Sequence, residues 1–259
     1  MRIGDVAVHS VFDGVIPLPP ELLYPEVPVS VWRGVPRALD DAGMLLVPFG
    51  GFLADDAQGH RVLFDLGGGV SPELVPGGAP PEVRELLPVQ LEELGCPLDS
   101  VTDVVLTHLH IDHVGWASTA GRATFPDARH HIHAADWKHF VDGDADAAVR
   151  RKVAPCSEAA VLWDGPEAAL FDWLRLIHTP GHTPGSAVAL IESGGESLAL
   201  VGDLFHHPEA AANPHWRCGF DWDPQAATDA RTRWAERLRA ARTPLAGPHF
   251  PGLEPITLR

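Results

Sequence analysis

Nine residues, THLHIDHVG at positions 107–115, constrain the fold of this chain more than any other segment. They follow the apolar run VTDVVL, which predicts a buried strand. Side chains two apart on a strand share a face, so His108 and His110 are expected to point the same way. Asp112 and His113 then leave the strand in a turn. The segment therefore predicts a strand end that carries four metal-binding side chains.

Donors for a complete metal site stand in three further segments. His182 lies in the turn HTPGHTPGS, Asp203 follows the strand SLALVG, and His249 lies in the loop GPHFPG. Imidazole and carboxylate groups bind zinc and related metals, and burying so many of them without a cation would be costly. A purely structural role for the cluster is therefore disfavoured. Gly115 is expected to let the backbone pass close to the first turn.

The ordered motifs HxHxDH, GHTPG, GD after a strand and a late His resemble those of the metallo-β-lactamase superfamily. The DLGGG run that begins at Asp65 resembles the family's early Asp-x-Gly motif, and the likeness runs from about residue 43 to residue 252. The resemblance implies an α/β fold, an αββα sandwich of two mixed β-sheets flanked by helices. We expect residues 1–259 to form one such domain.

The resemblance also implies two divalent metal ions, with zinc the first choice and iron or manganese the alternatives. In that family pattern the first metal is held by His108, His110 and His182, the second by Asp112, His113 and His249, and Asp203 bridges both. A hydroxide between the two ions would attack the substrate, because cations lower the pKa of bound water.

Catalysis is assigned to Asp112 and His206. Related lactonases carry a Tyr three residues after the bridging Asp, whereas this chain has His206 there, with His207 as the fallback. His206 is expected to donate a proton or to stabilise an oxyanion. The leading function is a dinuclear hydrolase of a lactone, ester or related small molecule. The alternatives are a thioesterase that releases an acyl group from a thioester or carrier, and an iron-dependent redox enzyme.

Two residues are candidates for supporting the ligands. Asp65 is placed to accept a proton from a ligand imidazole and so to fix its tautomer. The alternative role is that of a turn-capping Asp before glycines. His178 either holds the turn that carries His182 or is merely the last residue of a strand.

Two segments outside these motifs are expected to set specificity. Residues 13–41 are Pro-rich, carry Tyr24 and Trp32, and are typical of an extended arm or loop. Residues 205–224 follow the bridging Asp and contain four Phe and Trp residues, which indicates a lid or a pocket wall. The alternatives are core packing or a contact in a homodimer. The expected pocket residues are Phe205, His207, Trp216, Phe220, Trp222 and Trp116.

Composition restricts the partners. The chain has 35 acidic and 19 basic residues, a formal net charge of −16, which disfavours nucleic acid as substrate. No apolar run reaches the ~20 residues of a membrane span, and the amino terminus does not resemble a signal peptide. The three cysteines form no close pair. We expect a cytoplasmic enzyme whose small-molecule substrate has an apolar or acyl part.

Hydrophobic periodicity predicts the order of the elements. Strands are expected over 6–12, 44–54, 61–64 and 101–110, with three more in a second sheet between residues 174 and 203. Helices are expected over 81–95, 134–141, 145–162 and 224–242.

Overall fold

The first β-sheet includes the strand that the alternating apolar residues near the start of the chain form. The computed structural model describes residues 1–69 and 86–259. In spatial order, the sheet consists of β1 (Arg2–Ile3), β2 (Val6–Leu18), β3 (Leu45–Asp55), β4 (Arg61–Phe64), β5 (Asp103–Val105), β8 (Arg129–His133) and β9 (Ala160–Trp163). Strands β1 to β4 pair antiparallel, and β4, β5, β8 and β9 pair parallel. The short strands β6 (Ser118–Thr119) and β7 (Arg122–Ala123) form a separate hairpin.

The second sheet has five strands. They are β10 (Glu167–Phe171), β11 (Leu174–His178), β12 (Ala187–Ser193), β13 (Glu196–Leu200) and β14 (Leu245–Ala246), in that order. All pairs are antiparallel except β13 with β14. The first five residues of β12 are all buried, because the strand is covered on both faces.

The helices lie outside the sheets. They are α1 (Pro20–Leu23), α2 (Val29–Trp32), α3 (Leu86–Glu93), α4 (Ile111–Val114), α5 (Ala134–Asp136), α6 (Ala147–Val153), α7 (Pro208–Ala212) and α8 (Pro224–Ala241). Short 3₁₀ turns cover Leu98–Ser100, Ala154–Ala159, Gly202–Leu204 and Pro251–Leu253, and a π-helical turn covers Trp137–Asp142.

Four apolar cores among the described residues hold the layers together. One lies between the two sheets and includes Phe64 and Leu176, one lies under the helices of the first sheet, and one lies under α8. The fourth packs the carboxyl end of β2 against α1 and α2 and includes Trp32 and Phe49. This arrangement confirms the αββα sandwich. The long helix α8 begins where Asp223 accepts hydrogen bonds from the backbone amides of Gln225 and Ala226.

The predicted helix over 145–162 is wrong at its carboxyl end. The structure has α6 and a 3₁₀ turn there, and then the edge strand β9 from Ala160. Val161 and Leu162 are 40% and 46% exposed in succession, so this strand lacks the alternating burial that would have marked it. The first residues of the helix predicted over 81–95 lie outside the described residues, and α3 covers the rest. No described helix is long and apolar enough to span a membrane.

The expectation of an extended arm over residues 13–41 is also wrong. Strand β2 continues to Leu18, and α1 and α2 follow it. Tyr24 and Trp32 are 1% and 0% exposed, with their rings stacked 5.3 Å apart. Proline is compatible here because it occupies the start of each helix or the residue before it. The segment is a packed wall beside the carboxyl end of β2.

Candidate metal centre

The predicted donors meet at one edge of the sandwich, where strands of both sheets end. His108 and His110 follow β5, His182 follows β11, Asp203 follows β13, and His249 follows β14. Each donor lies three to five residues after the end of its strand, in a turn or loop. The strand predicted over 101–110 is therefore too long, because β5 ends at Val105 and His108 and His110 lie beyond it. The tertiary fold thus brings together residues 141 positions apart, from 108 to 249.

The first donor set surrounds one carboxylate oxygen of Asp203. His182 Nε2 lies 3.1 Å from Asp203 Oδ2, and His108 Nε2 lies 3.5 Å from the same oxygen. His110 Nδ1 lies 3.1 Å from His108 Nε2 and 2.9 Å from His182 Nε2. Three imidazole nitrogens and one carboxylate oxygen therefore converge on a single point.

The second set surrounds the other oxygen of the same carboxylate. His113 Nε2 and His249 Nε2 lie 3.1 Å and 3.0 Å from Asp203 Oδ1. Asp112 Oδ2 lies 3.5 Å from His249 Nε2. Asp203 thus presents one oxygen to each set, which is the arrangement of a bridging ligand.

These donors fit metal ions in spacing, burial and protonation. Zn–N bonds of about 2.0–2.1 Å in a tetrahedron place neighbouring donors ~3.3 Å apart, which is close to the separations in both sets. Asp203 Oδ1 is buried, and the imidazole nitrogens of His113 and His249 that lie close to it are not aligned to donate hydrogen bonds to it. A carboxylate oxygen left in this way needs a cation to offset its desolvation. The site therefore suits divalent metal.

Hydrogen bonds on the outer side of the rings keep the inner nitrogens available. His249 Nδ1 donates to the Pro48 carbonyl at 2.6 Å. His182 Nδ1 lies 3.2 Å from Asp221 Oδ1, at hydrogen-bond distance. His113 Nδ1 lies 3.0 Å from Asp65 Oδ2, where the carboxylate charge favours a proton on this nitrogen, although the two atoms are not aligned for a hydrogen bond. A ring that donates through Nδ1 presents the lone pair of Nε2, which is the form that binds a metal.

In the metal-free protein, burial and neighbouring charges shift the pKa values of the imidazoles in different directions. Burial disfavours a charged ring and lowers the pKa of His110 to about 3. Burial acts against the charged form of His182 as well, but hydrogen bonds to Asp203 and Asp221 raise the pKa of that ring to about 9. The carboxylates of Asp203 and Asp65 also raise the pKa of the buried His113 well above its usual value. Protons and metal ions therefore compete for the same nitrogens.

Asp65 lies beside one of the predicted ligand imidazoles, and it also binds Thr107, which was not predicted. It adopts a left-handed backbone conformation with φ 56°, and its Oδ1 and Oδ2 accept hydrogen bonds from the Thr107 amide and hydroxyl at 2.8 Å each. Oδ2 also faces His113. The carboxylate therefore ties the end of β4 to the turn that carries a ligand. His178 Nε2 donates to the Pro184 carbonyl at 2.9 Å, so it touches the turn of His182 and not the ring.

Asp136 supports the site and had no sequence motif to reveal it. Its side chain is buried after β8 and accepts hydrogen bonds from Leu109 N at 3.0 Å and Thr183 Oγ1 at 2.9 Å. The Gly185 amide is a third donor. The carboxylate therefore joins the two segments that carry the first donor set.

Asp221 is the other supporting carboxylate that sequence reasoning missed. It contacts His182, as described above, and it pairs with the buried guanidinium of Arg231. Burial acts to raise the pKa of Asp221, but hydrogen bonds from His182 and Arg231 hold it at about 2. In the sequence, the segment 205–224 is distinguished by its aromatic residues, and nothing marks Asp221 among them.

A cavity of about 250 Å³ opens onto the donors. His110, Asp112, His182, Asp203, His206 and His249 form its polar side. Its apolar side consists of Ile16, Leu18, Leu22, Leu23, Val47, Ile111 and Phe220, and Asp146 also lines it. The segment once expected to be an arm therefore provides most of the apolar wall. His206 Nε2 lies 3.0 Å from Asp203 Oδ2, beside the first donor set.

Most of the expected pocket aromatics lie elsewhere. Phe205 is fully buried in the core under α8, and Trp116 is buried under the first sheet, where its indole donates to Asp13 at 3.0 Å. The pocket assignment is wrong for both, because their side chains point into cores. Trp216 packs against Tyr24 and Trp32.

The remaining three residues of that prediction differ in exposure. His207 caps α7 by accepting a hydrogen bond from Glu209 N at 3.1 Å, and it does not line the cavity. Trp222 is 59% exposed and is also absent from the cavity lining, whereas Phe220 forms part of the wall.

Solved structures of known proteins share this fold. A probable metal-dependent hydrolase from Staphylococcus aureus superposes with a TM-score of 0.87 at 21% identity, covering 96% of this chain and 91% of that one. The hydrolase AbOPH of the β-lactamase superfamily gives 0.85 at 22% identity, covering 99% and 91%. The dizinc quorum-quenching lactonase AidC gives 0.82 at 21% identity, covering 97% and 90%.

Sequence comparison gives the same grouping. Probable metallo-hydrolases of Mycobacterium tuberculosis and Mycobacterium bovis are 29% identical over 133 residues, 46% of this chain and 41% of each relative. The match thus spans about two fifths of those relatives. The family model of the metallo-beta-lactamase superfamily matches residues 52–246, which is most of the chain. This protein therefore belongs to the metallo-β-lactamase superfamily.

Proposed function

We propose that this enzyme is a dinuclear metal-dependent hydrolase that cleaves a lactone or ester bond in a small molecule with an apolar part. One observation carries the proposal: the two oxygens of Asp203 face two separate donor sets at the floor of a largely apolar cavity. The metallo-hydrolase relatives and the lactonase among the similar structures support it.

Bound metal ions would act as Lewis acids on the substrate and on the attacking water. Two divalent cations would lower the pKa of an attacking water and polarise the oxygen that gains charge in the transition state. Zinc is the ion we propose first, because imidazole and carboxylate donors suit it. The residues that would hold the ions are His108, His110 and His182 on one side and Asp112, His113 and His249 on the other, with Asp203 shared.

Two side chains of the cavity are proposed to take part in catalysis. Burial lowers the pKa of His206, which favours a neutral imidazole with one N–H donor. Its Nε2 faces Asp203 Oδ2 at 3.0 Å in the metal-free protein, and this donor would become available when Oδ2 binds a metal. It would stabilise the developing oxyanion or pass a proton to the leaving group. Asp112 is the more exposed carboxylate of the cluster, with 22% of its side chain accessible, and it would accept a hydrogen bond from the attacking water.

The cavity favours a small uncharged substrate. Its volume of about 250 Å³ is below the usual range of ligand pockets, which begins at about 300 Å³. The lining has no Lys or Arg among the described residues that form it, and Asp146 adds a negative charge. An anionic phosphate ester would meet no counter-charge except the metal. A neutral acyl ester or lactone fits this lining better.

The proposal is tested by metal content and a substrate panel. Elemental analysis of protein purified without added metal should find about two ions per chain, and one ion or none would contradict the dinuclear centre. The panel consists of an acyl lactone, a 4-nitrophenyl ester, a thioester and a phosphotriester, each with wild type, metal-stripped protein and Asp203→Asn. Turnover of the lactone or ester should require the metal and Asp203.

His206 is tested separately against its neighbour. His206→Ala should lower kcat by 10²- to 10⁴-fold, roughly the contribution of a general acid, with the metal content unchanged. The matched control is His207→Ala, which removes an equally buried imidazole that caps α7 and does not reach the cavity. An unchanged kcat in His206→Ala with full metal would rule out the proposed role.

A further inference from the structure

Asp221 stands at a junction between the metal donors and the cavity wall. Its side chain is 0% exposed, and Oδ1 lies 3.2 Å from His182 Nδ1. A carboxylate in this place accepts the proton of the outer ring nitrogen, which leaves Nε2 facing the other donors of the first set.

Arg231 holds that carboxylate from the far side. The guanidinium projects from α8, its side chain is 3% exposed, and it meets Asp221 with two bonds: Nη1 to Oδ1 at 3.2 Å and Nη2 to Oδ2 at 2.8 Å. Nη2 also donates to Thr228 Oγ1 at 3.3 Å, one turn earlier on the helix. A planar guanidinium bound at two points restricts both the position and the plane of the carboxylate.

The same carboxylate shapes the turn that presents Phe220. Asp221 Oδ2 accepts a hydrogen bond from Cys218 N at 3.2 Å, which closes the turn around Phe220. On either side the backbone is tied down: Gly219 N donates to the Leu23 carbonyl at 2.9 Å, and Trp222 N donates to the His182 carbonyl at 3.0 Å.

We infer that Asp221, clamped by Arg231, is a positioning residue that orients the metal donor His182 and sets the place of Phe220 in the cavity wall. One buried ion pair would thus couple metal affinity to the fit of an apolar substrate group. The part of the inference that concerns substrate rests on the proposed function, whereas the part that concerns metal does not need turnover.

The metal part is tested by zinc affinity, measured by chelator competition on metal-free protein. Asp221→Asn keeps the size of the side chain but offers an amide in place of a charged acceptor. Zinc should bind 10- to 100-fold more weakly, the usual effect of removing such a partner. Arg231→Met should weaken zinc binding in the same direction, because the carboxylate loses its clamp. The matched control is Arg233→Met, an exposed arginine two residues along α8, which should leave the affinity unchanged.

A purely structural role is separated by a double variant. Each single change breaks a buried ion pair, so the melting temperature of the metal-free protein should fall by roughly 6–20 °C. Asp221→Asn combined with Arg231→Met leaves no buried unpaired charge, and much of this loss should be recovered. Zinc affinity should stay low in the double variant. If the affinity recovers together with the melting temperature, the ion pair is structural and the inference is overturned.

The substrate part compares acyl esters of increasing chain length. In zinc-saturated Asp221→Asn, KM for the hexanoate ester should rise at least about 5-fold, while KM for the acetate ester changes less than about 2-fold. Equal changes would overturn the coupling to Phe220. A wild type that loads no zinc overturns the proposed function as well as this inference. If the wild type binds zinc and Asp221→Asn binds it with the same affinity, this inference is overturned and the proposed function is not.

Discussion

Replacing Asp65 with Asn should change the tautomer of His113, a proposed metal ligand, without changing the backbone. The residue has φ 56°, a conformation that Asn tolerates as well as Asp. In the wild type, Asp65 Oδ2 lies 3.0 Å from His113 Nδ1, so the carboxylate charge favours a proton on this nitrogen, although the two atoms are not aligned for a hydrogen bond. The amide of Asn can offer a donor at this point. The ring would then move its proton to Nε2, which faces Asp203 at 3.1 Å.

The expected magnitude has two parts. Loss of the partner of a ligand imidazole weakens metal binding by about 10- to 100-fold, or about 1.4–2.7 kcal/mol at the second donor set. In addition, Thr107 loses a charged acceptor for its amide and hydroxyl, both at 2.8 Å. A bond to a charged group is worth about 1 kcal/mol more than a neutral one, so the metal-free fold should lose roughly 1–3 kcal/mol.

The assay is zinc titration with a competing chelator, together with ¹⁵N NMR of the histidine side chains. Zinc affinity at the first donor set should be unchanged, and zinc affinity at the second donor set, which contains His113, should fall. The NMR spectrum should show the changed tautomer of the His113 ring. The matched control is Asp13→Asn. Asp13 is equally buried, but its carboxylate accepts bonds from Gly69, Leu87 and Trp116 and touches no ligand ring. If Asp65→Asn and Asp13→Asn weaken zinc equally, or if neither does, the reasoning about the tautomer is refuted.

Three further predictions concern protonation, a buried hydroxyl and a close backbone contact. The pKa of His182 is raised to about 9 in the fold and returns to about 6.5 on unfolding. Its contribution to the stability of the metal-free protein is therefore complete below pH 6.5 and lost as the pH rises through 9. The melting temperature should fall over this range while zinc affinity rises, and calorimetry that shows no fall would contradict the assignment. Tyr24→Phe should leave the free energy of unfolding unchanged or slightly higher, because the hydroxyl is buried without a partner among the described residues; a loss above ~1 kcal/mol in urea unfolding would argue otherwise. Gly115→Ala should cost about 3 kcal/mol or more, since the new Cβ would lie 1.9 Å from the Gly68 carbonyl carbon, and Gly34→Ala, with its nearest neighbour at 3.3 Å, is the control for the same urea measurement.

The proposed metal donors, which the structure brings together, could be singled out from sequence because their chemistry is local. Each belongs to a short motif at the end of a strand, and HxHxDH places several donors within one turn of chain. Regular strands then bring such ends to one edge of a sheet. The supporting residues carry no such mark. Asp136 and Asp221 are two of 35 acidic residues, and what distinguishes them is burial beside a ligand segment.

The cavity wall illustrates the same limit. Phe205 and Phe220 stand in one aromatic segment, yet the first is fully buried in a core and the second is 41% exposed at the cavity. Composition suggested that residues 13–41 lie outside the core, whereas Trp32 within them is fully buried. A residue's own type does not determine which surface it meets, because that depends on elements distant in the chain.

From the sequence by itself, the ordered motifs identified the superfamily by resemblance, that resemblance implied the αββα architecture, and the chemistry of residues within short motifs indicated the donors. Only the tertiary structure decided which oxygen of Asp203 faces which donor set, and that Arg231 clamps the carboxylate behind His182. The physical reason is distance along the chain. Arg231 and His182 are 49 residues apart, and their coupling through Asp221 exists only when α8 packs against the turn after β11.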